Sequence, residues 1–235
     1  MINLMKIIRK VENVFLDKVM SIPQLYYRGL LWKSVTSSSV LDVGCGDGFP
    51  MVGFRNLRRN PEVAEYMVGA DAYLKSLSKC KFLKLYDEHI LCDASILPFR
   101  EKSFDTVLCL NLVEHLKKKE GIMLINEVER IARKQVILYL PVGYLPQPHK
   151  DENIFLEHKS GWIPKEFENI GYNVRGFSGF IHFRNKRLKY YVSKYHLQYL
   201  HYFLLLLSQI IVYYIPGRAF EMLCQKNITN VAEKD

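Results

Sequence analysis

Three carboxylates and three glycines carry the first chemical signal in this chain. In VLDVGCGDGF, Val40 to Phe49, an apolar run ends in Asp42, and Gly44, Gly46 and Gly48 follow at alternate positions. Glycine lets backbone approach a ligand that any Cβ would block. A dinucleotide fingerprint, G-x-G-x-x-G, would need glycine at 49, where Phe49 stands. A carboxylate two residues ahead of the first glycine is wrong for cradling phosphate and right for a ligand with an ammonium or sulfonium. Asp71 closes YMVGAD, 23 residues past Gly48, where an acid accepts hydrogen bonds from both ribose hydroxyls. Asp93, in HILCDAS, is suited to accept from an adenine amino group. Alone, Asp42 or Asp71 would read as a helix cap. Their joint placement describes a cationic, nucleoside-containing ligand.

Such groups need strands whose ends line up. The runs SVLDVG, EYMVGAD, EHILCD, FDTVLCL and KQVILYLP are continuously apolar, as strands buried on both faces are. Helical patterns fall between them at Gly48–Arg59, Ala72–Lys81 and Leu116–Arg133, with a stretch at 94–99 too short for much helix. Strand-helix-strand alternation implies right-handed crossovers and a three-layer, doubly wound, mostly parallel α/β sheet. Ligands then bind outside the carboxyl ends of the strands. Asp105 starts a strand, at the opposite end, and reads as structural.

The whole chain has 235 residues, a net charge of +9, 49% apolar residues and 13% aromatics. That is globular composition for one domain with additions. The basic excess admits an anionic partner without selecting one. Five scattered cysteines, Cys45, Cys80, Cys92, Cys109 and Cys224, show no paired motif and no metal-ligand spacing, so no metal is assigned. They suit a reducing cytosol. Leu4, Ile8, Val11, Phe15, Val19 and Ile22 keep helical spacing among mixed charges, which predicts an amphipathic lead-in helix over 1–36 rather than a signal peptide.

VLDVGCGDGF, GADAY, LCDASILPFREKSFDTVLCLNLVEHL and HKSGWIPKEFENIGYNVRGF resemble, in order and spacing, the class I S-adenosylmethionine-dependent methyltransferases of the ubiquinone/menaquinone-type (type 11) subgroup. The resemblance covers roughly residues 38–182. It implies a seven-stranded sheet of order 3-2-1-4-5-7-6 with the last strand antiparallel, and S-adenosyl-L-methionine as cofactor. Gly44, Cys45 and Gly46 would line its methionine part, Asp71 would grip the ribose, and Asp93 and Ala94 would hold the adenine. Asn111 and Leu112 would flank the methyl group. With Asp42, Gly48 and Ala72 these form the expected cofactor set. The domain is then 37–182 and 219–227, interrupted by a helical insertion at 183–218.

Methyl transfer from a sulfonium needs alignment first, and a base only where the acceptor arrives protonated. His115 is the first choice for that chemistry, with Glu114 beside it. His149, Asp151, Glu152 and His158 in the loop after the fifth strand are further candidates, and His158 could equally just order that loop. Within 184–215, five basic residues and seven of the fifteen tyrosines accompany FLLLLSQIIVYYI. That run is too short to span a bilayer. A buried helix, a homodimer interface or peripheral contact with an anionic membrane are the readings left open. The expectation is therefore a cytoplasmic enzyme methylating a small-molecule or lipid-like acceptor. Two alternatives stand beside it: a non-catalytic module binding S-adenosylmethionine or S-adenosylhomocysteine, and an RNA methyltransferase. The last is disfavoured because NLVE replaces a catalytic Pro-Pro-Tyr-type tetrapeptide, so no specific nucleic-acid binding is expected.

Overall fold

A computed structural model describes residues 39–48, 51, 64–148, 153–184, 192 and 197–228. The expected lead-in helix, most of the crossover at 48–59, His149, Asp151 and Glu152, and the basic residues from 186 to 194 lie outside the described residues.

Seven strands form one sheet: β1 (Ser39–Val43), β2 (Tyr66–Asp71), β3 (Glu88–Leu91), β4 (Phe104–Leu110), β5 (Ala132–Pro141), β6 (Asn173–Phe180) and β7 (Ala219–Asn227). Their order is β3-β2-β1-β4-β5-β7-β6. β1 pairs in parallel with β2 and β4, and β7 runs antiparallel to both β5 and β6. This is the expected order and orientation. Every residue of β4 is buried, which is why its sequence shows no alternation.

Four helices are described: α1 (Leu74–Leu83), α2 (Lys118–Ile131), α3 (Pro164–Glu168) and α4 (Gln198–Tyr214). α1 starts two residues later than its pattern, because Tyr73 N–H donates to the Asp71 carboxylate at 2.7 Å. α2 puts Leu124, Ile125, Val128 and Ile131 into the core, at the spacing an amphipathic helix requires. Residues 94–99 form no helix.

Asp105 sits at the foot of β4, fully buried, and receives Arg133 Nη1 at 2.7 Å and Lys134 Nζ at 3.0 Å. Its own N–H donates to Ser39 Oγ at 3.0 Å. It ties β1, β4 and β5 together at the end away from the glycine loop. All five cysteines are free thiols, and four of them are buried.

Candidate functional site

The loop after β1 turns back sharply because Gly44 and Cys45 both donate to the Ala70 carbonyl, at 2.8 and 3.1 Å. Gly44, Gly46 and Gly48 all lie at positive φ, +74°, +56° and +81°, so their backbone favours glycine. Their surroundings differ. A Cβ on Gly48 would meet Cys80 Sγ and Leu85 Cδ1 at 2.8 Å, and one on Gly44 would meet Leu112 Cδ2 at 2.8 Å. A Cβ on Gly46 would meet nothing within 4 Å. Gly48 is a packing glycine against α1, whereas Gly46 borders open space.

Asp71, at the tip of β2, accepts Gly46 N–H at 2.8 Å on one oxygen and Tyr73 N–H at 2.7 Å on the other. A carboxylate has about four acceptor positions, so the backbone aims this one and leaves it able to take a vicinal diol. Asp93 accepts Ser95 N–H at 2.8 Å. Asp42 is placed differently. It is 2% exposed and accepts the Tyr86 hydroxyl at 2.5 Å, 44 residues away. Burial pushes its carboxyl up to about 7, against the hydrogen bond from Tyr86 and with the charge of Asp71.

That shift has a consequence for stability. A carboxyl raised from 3.8 to about 7 favours the folded state below its unfolded value and loses that contribution as pH rises through 7. Three pH units correspond to on the order of 4 kcal/mol. Asp42→Asn should therefore flatten the melting-temperature profile between pH 5 and 8 in ligand-free protein, and calorimetric scans across that range check it. A profile as steep as the wild type's would assign the slope to another group.

After β4, Asn111 adopts φ +53° and its N–H donates to the Tyr139 carbonyl at 2.7 Å. A 3-10 turn over Val113–His115 follows. His115 Nδ1 lies 3.1 Å from the Glu157 carbonyl, and His158 Nδ1 lies 2.7 Å from that of Leu145. A carbonyl only accepts, so each Nδ1 carries the proton and each Nε2 is the basic nitrogen. Burial lowers both imidazoles from the usual histidine value. Their ring centroids are 4.7 Å apart. Glu114 is 2% exposed, its Oε2 has no hydrogen-bond partner, and burial pushes its carboxyl up to about 8.

The HKSGW block locks this turn in place. Lys159 and Ser160 N–H donate to the Glu114 carbonyl at 2.8 and 3.1 Å, and Trp162 Nε1 donates to Ser160 Oγ at 2.8 Å. Lys118 Nζ stands 3.5 Å over the Trp162 ring. Gly121 is needed beneath it, since a Cβ there would lie 2.6 Å from Trp162.

Two adjoining cavities result, of about 300 and 460 Å³. The smaller is lined by Asp71, Ala72, Asp93, Ala94 and Leu97, the larger by Cys45, Gly46, Asn111, Glu114 and His158. Gly44, Asp71, Leu112, His115 and Phe155 border both. Of the thirteen residues in the expected cofactor set taken with Glu114 and His115, eleven line these cavities; Asp42 and Gly48 line neither, and the further candidate His158 lines the larger. Sequence reasoning missed Tyr73, Phe155, Lys159 and Glu221, which also line them. Glu221 comes from β7 and accepts the hydroxyls of Tyr139, at 2.7 Å, and Ser178. Sequence also assigned no metal ligands, yet Glu114, His115 and His158 offer donor atoms all within 4.8 Å of one another, a set a divalent cation can use.

The arrangement fits a ribosylated sulfonium amino acid. Gly46 leaves room against bare backbone, Asp71 offers spare acceptor capacity, and the smaller cavity adds Asp93 beside the apolar Ala72, Ala94 and Leu97.

The methyltransferase-domain family matches residues 41–140. An uncharacterized protein of Methanocaldococcus jannaschii is 31% identical over 138 residues, covering 57% of this chain and 55% of that protein. A ubiquinone biosynthesis O-methyltransferase of Rickettsia bellii is 28% identical over 140 residues, covering 57% of this chain and 54% of the enzyme. The chain thus spans about half the length of these curated relatives. Among solved structures, a Bacillus halodurans protein described as a candidate methyltransferase superposes with a TM-score of 0.54 at 17% identity, over 86% of this chain and 99% of that one. Haemonchus contortus phosphoethanolamine N-methyltransferase 2, solved with S-adenosyl-L-methionine, gives 0.51 at 17%, over 83% and 49%. At such identity the superpositions speak to fold, and the family match marks residues 41–140 as similar to methyltransferase domains.

Proposed function

We propose that the protein transfers the methyl group of S-adenosylmethionine to a small, lipid-like acceptor by direct in-line displacement. The observation that carries this reading is the Asp71 carboxylate, aimed by two backbone N–H groups beside the open space at Gly46. When bound, the cofactor supplies a methyl already activated on a positively charged sulfur. The chain's residues do the rest. Asp71 receives the ribose hydroxyls, Asp93 and Ala94 border the base, and Gly44, Cys45 and Gly46 give main chain to the amino-acid end. Asn111 and Leu112 border the space where the methyl meets its acceptor.

His115 is the proposed base. Its Nε2 would take the proton from an acceptor O–H or N–H as the new bond to carbon forms, with Nδ1 held on the Glu157 carbonyl. Glu114, with its carboxyl near 8, is the second group able to exchange a proton at neutral pH. The larger cavity includes Leu110, Leu145, Leu156 and Phe220, which supports an acceptor with apolar bulk. Drawing such an acceptor from a membrane would bring the 184–215 region into play.

Acceptor-dependent release of S-adenosylhomocysteine tests the reading; its absence across quinol, phenol and aminolipid acceptors, despite cofactor binding, would favour a non-catalytic module. His115→Asn should lower kcat by on the order of 100-fold or more with little change in cofactor affinity. Because the imidazole must be neutral and its pKa is lowered from 6.5, the wild-type rate should fall with acid only below that value. Retention of full kcat by the variant would remove His115 from the proton path.

A further inference from the structure

The polarity of α4 is inverted with respect to its packing. Its inward face carries His201, Leu205, Ser208, Gln209 and Val212, all buried. Its outward face carries Leu200, Phe203, Leu204, Leu207, Ile210 and Ile211, between 39% and 66% exposed. These six recur at helical spacing, so they form one continuous stripe. A helix at the surface of a water-soluble domain has the opposite arrangement.

Two of the polar residues inside, Ser208 and Gln209, hydrogen-bond to β6. Gln209 Nε2 donates to the Gly176 carbonyl at 3.0 Å, and its Oε1 accepts Gly179 N–H at 3.3 Å. Ser208 Oγ donates to the Leu205 carbonyl at 2.7 Å and accepts Phe180 N–H at 3.1 Å. Gly176 and Gly179 let the helix lie directly on the strand, since a Cβ on Gly176 would come within 2.1 Å of the Val212 carbonyl oxygen. The helix is therefore fixed to β6 from Leu205 to Val212. It cannot leave the sheet without stranding buried polar groups, which is costly. No helix among the described residues is long and apolar enough to cross a membrane.

Charge selects the occupant. From Asn169 to Phe220 the sequence has no Asp or Glu, and seven Lys or Arg: Arg175, Arg184, Lys186, Arg187, Lys189, Lys194 and Arg218. The 198–217 stretch itself carries no charged residue of either sign. A second copy of the chain would bring two such all-cationic regions together, and like-charge juxtaposition opposes that. The leading residues 1–36 are also net basic, with Lys6, Arg9, Lys10, Lys18, Arg28 and Lys33 against Glu12 and Asp17. A planar, apolar and anionic partner meets both requirements at once. We infer that the outward face of α4 docks on an anionic lipid bilayer, with the helix in the membrane plane and the basic character of the surrounding sequence favouring anionic headgroups. This docking stands whether or not methyl transfer occurs.

Flotation of the full-length protein with phosphatidylcholine vesicles, with and without phosphatidylglycerol, tests it. Binding is expected to require the anionic lipid and to fall with salt. Phe203→Glu and Ile210→Glu, at positions 56% and 66% exposed, should each reduce the bound fraction about tenfold or more without lowering the melting temperature. Phe203→Trp should shift its emission to the blue on vesicles. Absence of flotation at any salt overturns the inference. So does a concentration-dependent dimer in sedimentation that Ile210→Glu disperses while vesicles bind nothing, which would assign the face to a second copy. A melting temperature lowered by several degrees in both Glu variants, with flotation unchanged, would likewise overturn it and assign the face to another segment of this chain.

Discussion

Replacing Asp71 by Ala is expected to weaken S-adenosylmethionine binding by about 100-fold or more. Two hydrogen bonds from a diol to a charged acceptor are lost, each contributing about 1.5–3 kcal/mol, and every 1.4 kcal/mol is about tenfold in affinity. Stability should change much less. The freed N–H groups of Gly46 and Tyr73 lie beside an open cavity, where water can replace the carboxylate. Asp71→Asn separates the two contributions, because its amide oxygen still accepts but its charge is gone. Isothermal calorimetry with S-adenosylhomocysteine, paired with thermal melts, reads both. Unchanged affinity in Asp71→Ala would sink the ribose assignment.

The glycine loop should split in two under substitution. Gly46→Val places a side chain in the space that is open to 4 Å, so cofactor binding should be lost. The positive φ of +56° adds about 1–3 kcal/mol of strain, which lowers the melting temperature without unfolding the protein. Gly48→Ala should do the reverse. Its Cβ would press on Cys80 and Leu85 at 2.8 Å, and overpacking adds about 1–3 kcal/mol to a similar backbone strain at φ +81°. Together these consume a large part of a typical 5–15 kcal/mol stability. Whatever folds should still bind cofactor. Melting curves with and without S-adenosylhomocysteine distinguish the outcomes. A Gly46→Val protein that still gains stability from the ligand would contradict the assigned cradle.

The split between Gly46 and Gly48 marks a boundary of sequence reading. All three glycines share spacing and positive φ, so the pattern announced a turn at a strand tip. It did not distinguish ligand approach from close packing, because the neighbours of Gly48 come from α1 and the residues just beyond it, more than 30 positions later. Asp42 divides similarly. Its placement at the end of β1 was legible, but its partner Tyr86, 44 residues on, was not, and that partner makes it a buried, hydrogen-bonded acid rather than a residue lining the cavity.

By itself the sequence determined the doubly wound sheet, because strands buried on both faces must be apolar throughout. It also placed Asp71, Asp93 and the His115 turn, because parallel strands deliver their carboxyl ends to one edge. Tertiary structure alone decided which side chains meet across that edge: His158 against His115, Glu221 from a strand more than 100 residues later, and Gly46 rather than Gly48 facing the cavity. It also decided the facing of α4. A helix apolar on nearly every side has no periodicity to read, so only the hydrogen bonds of Ser208 and Gln209 to β6 turn its polar residues inward and leave its apolar stripe outside.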